Sequence, residues 1–490
     1  MALLRVAPVL GVIVLAFGLT LGVPWGVAMA FNDAAQHTYP ATMALCAVLG
    51  LLLMAGGWRR VRHTDLQARD GILLVGLVWT LLPLLACLPL LLYFHQTGQP
   101  LRFAGAYFET MSGLTTTGST VLVGLDQLPP SINLWRCFLQ WIGGMGILVL
   151  AVAILPMLGV GGSQLFRAEA TGPMKDSKLT PRITETAKGL WTVYCGLSLA
   201  CLLAYRWGGM SWFDAWAHMF TTLSLGGLST HDASFGFFQS PTLEWIAIVF
   251  MLLASCNFAL YFVALVKRDP LKVWRDAEWR ATIGLLVGAS VAIALLLLAK
   301  GTYTDAGDTL RISLFNVVSI GSTTGYATVD YTLWPVFAPI VMIMLSGIAT
   351  SAGSTGAGIK MARLVILLKQ ARREMRAIIH PRAVQPVTLA GHAIDNRTIF
   401  AVLGFMLMYG GTIIGLTLLL LLTDLSFDTA FSAVVASINN MGPGLNEVGP
   451  VGNYAGFSDA QLWICTLAML LGRLEILSFL VIFTPGFWRK

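Results

Sequence analysis

The chain has 490 residues, 56% hydrophobic and only 11% charged, with a mean hydropathy of +0.75. Soluble domains carry about 25% charged residues, so a water-soluble globular fold is excluded and lipid is the expected solvent. The net charge of +7 invites a nucleic-acid reading, but the basic residues are spread over the links between apolar segments, which argues against it.

Apolar runs long enough to cross a bilayer, about 17–25 residues each, fall near 5–30, 41–58, 71–95, 134–160, 187–206, 242–266, 281–299, 334–368, 398–423 and 460–486. The first is followed by further spans and shows no small-residue cleavage site, so it is expected to remain in the protein. The first two runs form an added hairpin, residues 1–66. The other eight pair into units at 67–165, 166–270, 271–380 and 381–490. Arg5, the links at 59–69, 167–188, 267–280 and 360–397, and Arg489-Lys490 hold 25 of the 31 Lys and Arg. The opposite links hold Arg102, Arg136, Arg206, Lys300 and Arg311. By the positive-inside rule both termini are cytoplasmic.

Between the two runs of each unit lies a glycine-centred turn preceded by a helical stretch too short to span. The turns are Thr115-Thr116-Thr117-Gly118-Ser119, Leu225-Gly226-Gly227-Leu228-Ser229, Thr323-Thr324-Gly325-Tyr326 and Asn439-Asn440-Met441-Gly442-Pro443-Gly444. Their central glycines are 109, 98 and 117 residues apart, the mark of a repeated unit. Phe213-Asp214, Asp308 and Ser426-Phe427-Asp428 supply capping or first-turn residues for three of the short helices; the first has no obvious equivalent. A half-helix entering from outside turns the negative end of its dipole toward the glycines. Irregular backbone at membrane depth is tolerated only where it faces protein or water, so four such turns imply a pore. Their donors are hydroxyls, amides and backbone carbonyls, hard ligands for a hard cation.

Five residues beyond the central glycine stands an acid in three units: Asp232, Asp330 and Glu447. Val123 takes that place in the first, with Asp126 slightly later. A ring of acids at an outer mouth would concentrate cations; solvated loop acids are the plainer alternative. The run at 334–368 is interrupted by Ser351-Ala352-Gly353-Ser354-Thr355-Gly356-Ala357-Gly358, followed by Ile359-Lys360. The segment falls short of a phosphate-binding loop because Lys360 does not directly follow the last glycine and no βαβ context surrounds it. It reads instead as an intramembrane gate, or as a close helix contact. Arg473 lies in the middle of the last span, an expensive position that marks function. It would act as an electrostatic barrier below the glycines, or be anchored by carbonyls of the interrupted segment. Glu475 is placed to face away from it.

No enzyme reading survives. The histidines are scattered, and the seven cysteines lie in or beside apolar runs without metal-ligand spacing.

Taken together, the four glycine motifs, Gly-Ser-Thr-Gly-Ala-Gly-Ile-Lys at 353–360 and Gly-Arg-Leu-Glu at 472–475 resemble the Trk/Ktr/HKT superfamily of potassium transporters, on its bacterial Trk-type branch, over nearly the whole chain. The resemblance implies an all-α polytopic membrane protein with four M1–P–M2 repeats in pseudo-fourfold arrangement plus the N-terminal hairpin. It implies a K⁺ filter from Thr116, Thr117, Gly118, Leu225, Gly226, Gly227, Thr323, Thr324, Gly325, Asn440, Met441 and Gly442. The gate would comprise Gly353, Ser354, Thr355, Gly356, Ala357, Gly358, Lys360 and Arg473. A homodimer in the cell inner membrane is further implied, with cytosolic Rossmann-like (RCK-type) regulatory subunits that bind NAD or ATP. In this superfamily a Ser at the first filter glycine accompanies sodium permeation, and Gly118 keeps the potassium pattern. A proton- or sodium-coupled symporter and a non-conducting cation sensor remain as alternatives.

Overall fold

The computed structural model describes residues 2–56, 68–146, 183–381, 385–389, 392–474 and 476–489. It is helical apart from one antiparallel pair of two-residue strands, Thr388–Leu389 with His392–Ala393. Helices α1 (Ala2–Thr20), α2 (Gly22–Phe31) and α3 (Thr38–Ala55) form the N-terminal hairpin. Its two long arms approach closely because glycines meet: a Cβ on Gly11 would lie 2.6 Å from the Gly50 carbonyl oxygen.

Four units follow. The first holds α4 (Ala68–Ala86), α5 (Leu88–Gln96), α6 (Phe103–Leu114) and α7 (Pro130–Gly144). The second holds α8 (Ile183–Trp207), α9 (Trp212–Leu223), α10 (Pro241–Ala254) and α11 (Phe258–Val266), with the short α12 (Leu271–Arg275) leading onward. The third comprises α13 (Ala277–Ala299), α14 (Ala306–Gly321), α15 (Phe337–Ile348) and α16 (Met361–Ile379). The last contains α17 (Asn396–Leu421), α18 (Phe427–Ile438), α19 (Asp459–Arg473) and α20 (Ile476–Leu480).

In every unit the short helix (α6, α9, α14 or α18) packs inside its own outer helices and also touches the closing helix of the unit before: α9 on α7, α14 on α10, α18 on α15 and α6 on α19. The last contact joins the fourth unit back to the first. A 12-residue helix such as α6 is about 18 Å long, well short of the roughly 30 Å hydrocarbon core. Side-chain caps fix three of the starts: Ser211 accepts from Asp214 N, Asp305 from Asp308 N and Ser426 from Thr429 N, each worth about 1 kcal/mol. Helix α6 has no such cap. Its N-cap residue, Arg102, instead donates to Asp459 Oδ1 and the Phe457 carbonyl, which tethers α6 to the start of α19.

Six described helices or near-continuous pairs are long and apolar enough to cross a membrane, and α10 with α11 makes a seventh if a bent pair is one span. Their outward surface is apolar too. Leu45, Val48, Leu51 and Leu52 on α3, and Leu403, Leu407, Ile414 and Leu418 on α17, are exposed, as a lipid-facing wall requires.

Several expected continuous spans are broken. The run at 242–266 bends by 86° at Ser255–Asn257, where the Asn257 side chain accepts from Ala259 N and starts a new helix. The run at 334–368 stops at Ile348 and resumes at Met361, and that at 460–486 stops at Arg473 and resumes at Ile476. Beyond residue 146 the run at 134–160 lies outside the described residues, as do most of the 59–69 and 167–188 links and Glu475. Arg136 and Arg311, expected in outer links, sit instead within α7 and α14. There Arg136 pairs with Glu109, and Arg311 with Glu244 and Asp308.

Candidate functional site: a ring of four glycine turns

Each short helix ends in the same turn. The residue two before the central glycine has positive φ in all four: Thr116 (58°), Leu225 (54°), Thr323 (67°) and Asn440 (50°). The central glycines are left-handed as well, with φ of 87° at Gly118, 71° at Gly227, 87° at Gly325 and 95° at Gly442. Between them the backbone N–H of Thr117, Gly226, Thr324 and Met441 reaches back to the carbonyl five residues earlier, at 2.8–2.9 Å. This is the six-to-one closure of a Schellman turn, except that glycine is absent from its left-handed position. Thr116, Leu225 and Thr323 each pay roughly 1–2 kcal/mol there and Asn440 less, and all four are buried. Strain repeated fourfold in one place marks a functional backbone path.

The turns close on one another in order. A Cβ on Gly118 would lie 2.1 Å from the Gly226 carbonyl oxygen, on Gly227 1.9 Å from that of Thr324, on Gly325 2.2 Å from that of Met441, and on Gly442 2.8 Å from that of Thr117. Every glycine therefore abuts the carbonyl that precedes the next glycine, round to the start. Only hydrogen at Cα permits that approach.

Side chains brace the ring from behind. Gln140 on α7 donates to the Gly226 carbonyl at 2.7 Å and accepts from Leu228 N at 3.1 Å. The Tyr326 hydroxyl reaches across to Thr221, to Thr222 and to the His218 carbonyl on α9. Between the last turn and the first, Ser119 Oγ and the Tyr454 hydroxyl both donate to the Gly442 carbonyl, and Asn440 Nδ2 donates to Thr117 Oγ1. Asn439 Nδ2 donates to Ser346 Oγ, joining the fourth turn to α15. The carbonyls of Thr117, Thr324 and Met441 accept no hydrogen bond among the described residues.

Beneath the ring lies the segment between α15 and α16. A Cβ on Gly356 would be 3.1 Å from Thr323 Oγ1 and 3.2 Å from the Ser322 carbonyl. Gly353, Gly358 and Lys360 all take positive φ. The Thr355 hydroxyl donates to the Leu223 carbonyl, where α9 ends, at 3.1 Å. Ser351 N donates to the Ser255 carbonyl, while the Gly353 carbonyl accepts from Phe258 N. The break between α10 and α11 and the interrupted segment thus satisfy each other's backbone groups. Ser354 Oγ bonds back to Ser351, the Ala357 carbonyl accepts from Thr350, and the buried Lys360 ammonium donates to the Gly356 carbonyl. Glu278, at the start of α13, accepts from Ala352 N at 2.7 Å.

Arg473 ties this segment to the ring. It donates to Thr116 Oγ1 at 3.3 Å, to the Thr355 carbonyl at 3.0 Å, and to the Gly143 and Gly144 carbonyls, with the Trp79 ring beside it. It terminates α19 rather than sitting mid-span. Its bond to the Thr355 carbonyl anchors it to the interrupted segment.

Of the three acids expected at a mouth, Asp232 accepts from Gly124 N and Leu125 N, and Asp330 caps the turn at Tyr331–Leu333. Glu447 is exposed. Asp126 pairs with His231 Nδ1, and Asp214 Oδ1 lies 3.3 Å from His231 Nε2. Burial alone would lower the His231 pKa, but its hydrogen bonds to Asp214 and Asp126 outweigh that and raise it above 6.5.

The twelve expected ring residues therefore come together, and the interrupted segment and Arg473 join them from below. Of the bracing residues, Gln140 and Tyr454 are not among those the sequence singles out; Ser119, Tyr326, Asn439 and Asn440 stand in the turn motifs, but the partners they brace are not visible there. Gln140 carries one visible signal, a polar group inside an apolar stretch, which does not name its partner.

A re-entrant backbone ring inside a helical, lipid-facing fold defines a polytopic membrane transporter. Residues 40–490 match the family described as TrkH, cation transport protein, and the chain belongs to it. Among its relatives, the Trk system potassium uptake protein TrkH of Vibrio parahaemolyticus is 43% identical over 484 residues, covering 98% of each chain. That of Halomonas elongata is 40% identical over 490 residues and covers all of both. The crystal structure of the potassium transporter TrkH from Vibrio parahaemolyticus superposes with a TM-score of 0.89 at 40% identity, covering both chains fully.

Proposed function

We propose that this chain takes up potassium across the cell membrane, passing the ion through the ring centred on Gly118, Gly227, Gly325 and Gly442. The observation that carries this reading is the cyclic contact of each glycine with its neighbour's carbonyl, which presents hard oxygen donors around one axis. A dehydrated monovalent cation exchanges its water for such a carbonyl ring. Four helix C-termini, each equivalent to roughly half a negative charge, favour the cation there without a carboxylate that would hold it. The names of the relatives support the choice of ion.

The interrupted segment, Gly353 to Gly358 with Lys360, acts as the gate, and Arg473 is its latch as well as a positive charge at the inner end of the ring. Asp232, Asp330 and Glu447 raise the local cation concentration at the outer mouth, although two of the three carboxylates also cap backbone. The chain lies in the inner membrane with both termini facing the cytoplasm, in keeping with the basic links. It works as a homodimer beside cytosolic Rossmann-like subunits that bind a nucleotide, acting on the basic helix α16.

Flux into proteoliposomes that hold only this chain tests the reading. Potassium moving down its own gradient, without an imposed proton or sodium gradient, is expected. Dependence on such a gradient would make the chain a coupled symporter, and absence of flux would make it a sensor.

A further inference from the structure

Glu109 and Arg136 are each 1% exposed, a charge pair buried behind the ring with no part in the reading above. Glu109 is on α6, nine residues before Gly118; Arg136 is on α7. Arg136 Nε meets Glu109 Oε1 at 2.7 Å. Both groups hold the extended residues just outside the glycines. Glu109 accepts from Val121 N at 2.9 Å and from the Thr120 hydroxyl at 3.0 Å. The Arg136 fork donates to Thr120 Oγ1 at 3.1 Å, to Asn133 Oδ1 at 3.2 Å and to the Ser229 carbonyl at 3.3 Å. Thr120 and Ser229 each stand two residues beyond a central glycine.

The same register recurs elsewhere in neutral form. Nine residues before Gly227 is His218, whose Nε2 bonds Ser229 Oγ at 3.0 Å. At the matching place before Gly325, Asn316 Nδ2 donates to Thr328 Oγ1 at 2.9 Å. Before Gly442 the position is Ala433, and its neighbour Ser432 accepts from Leu445 N at 2.9 Å. Each short helix thus holds its own outer strand. Among the described residues, unit one alone couples that grip to a planar guanidinium, which also takes the carbonyl of the next strand. A fork can serve several acceptors in fixed directions, and a lysine ammonium cannot.

We propose that Glu109 and Arg136 are positioning residues for cation discrimination, fixing the outer halves of the first two turns relative to each other. The proposal rests on the ring being the filter. The pair neutralises itself, so its contribution is geometric. When the fork is lost, the Ser229 carbonyl is freed and Thr120 is held by Glu109 alone across that gap, so the spacing of the Gly118 and Gly227 turns relaxes.

Two mild substitutions in the full chain test this: Arg136→Lys, which keeps the charge and loses the fork, and Thr120→Val, which keeps the shape and loses the hydroxyl. The readout is the K⁺/Na⁺ permeability ratio in proteoliposomes, normalised to folded dimer, with Gly118→Ser alongside. A purely structural role would lower both ion fluxes together and leave the ratio alone. The expected result is a ratio lowered roughly tenfold in Arg136→Lys, the equivalent of about 1.4 kcal/mol of discrimination, and lowered in the same direction in Thr120→Val. Wild-type ratios in both, with Gly118→Ser altered, would overturn the role of the pair and leave the filter standing. An unaltered Gly118→Ser would remove the filter reading and this inference with it.

Discussion

Replacing each central glycine by alanine separates two costs that the ring imposes. All four glycines have positive φ, so each substitution carries roughly 1–2 kcal/mol for a left-handed side chain. The contact cost differs. At Gly227 the Thr324 oxygen must retreat from 1.9 Å to the 3.4 Å of an ordinary contact, roughly 1.5 Å, whereas at Gly442 the Thr117 oxygen starts at 2.8 Å and moves about 0.6 Å. Functional geometry is commonly held to within about 0.5 Å, so Gly227→Ala exceeds that tolerance threefold and Gly442→Ala barely does. Gly118 and Gly325, at 2.1 and 2.2 Å, fall between. Gly98 provides the strain control, with a φ of 71° and nothing within 4 Å of where a Cβ would stand. Potassium and sodium permeabilities measured side by side are expected to show discrimination lost in the order Gly227, Gly118, Gly325, Gly442, with Gly98→Ala unchanged. A loss at Gly227 of at least tenfold corresponds to about 1.4 kcal/mol. Equal effects at Gly227 and Gly442, or an effect at Gly98, would refute the contact argument.

Arg473→Ala removes charge-assisted bonds worth roughly 1.5–3 kcal/mol each between the ring, α7 and Thr355, so potassium flux should rise about tenfold; lower flux at normal protein level would assign Arg473 a purely structural role. Tyr326→Phe strips the hydroxyl shared by Thr221, Thr222 and the His218 carbonyl; these groups keep other partners, so the loss is that of an ordinary hydrogen bond, roughly 0.5–1.5 kcal/mol. Its unfolding temperature in detergent should fall measurably, and an unchanged value would show that the hydroxyl does not brace the ring. His231 is favoured in its charged form by Asp126 and Asp214, so its stabilisation is complete below pH 6.5 and is lost as pH rises through its raised pKa. A partly exposed pair contributes up to about 1 kcal/mol. His231→Asn should flatten that part of the stability–pH curve, and a curve unchanged by the substitution would remove His231 as its source.

Much of this arrangement is legible in the sequence because glycine is the residue that tolerates positive φ and close backbone approach. Four such turns after four short helices give the repeat and, by extension, the pore. The left-handed conformation of Thr116, Leu225 and Thr323 is not legible, since these types rarely adopt it; only Asn440 belongs to a type that does. Nor is the cyclic order of contacts, which depends on α6 packing against α19 across the whole chain. Arg136 reads as an outer-link residue because it follows Pro129 and Pro130 closely, and only the buried Glu109 explains a charge inside α7. The 86° bend after Ala254 leaves no strong mark either. Its physical cause is distant, namely the backbone of the segment around Ser351 and Gly353 that pairs with it.

A ring that passes potassium holds a monovalent cation within the four turns. Crystals grown in Rb⁺ or Tl⁺, which stand in for potassium and scatter anomalously, would locate it. Anomalous peaks are expected on the axis between the carbonyls of Thr117, Gly226, Thr324 and Met441, weakened in Gly227→Ala. Peaks confined to the outer acids, with none inside the ring, would contradict that expectation.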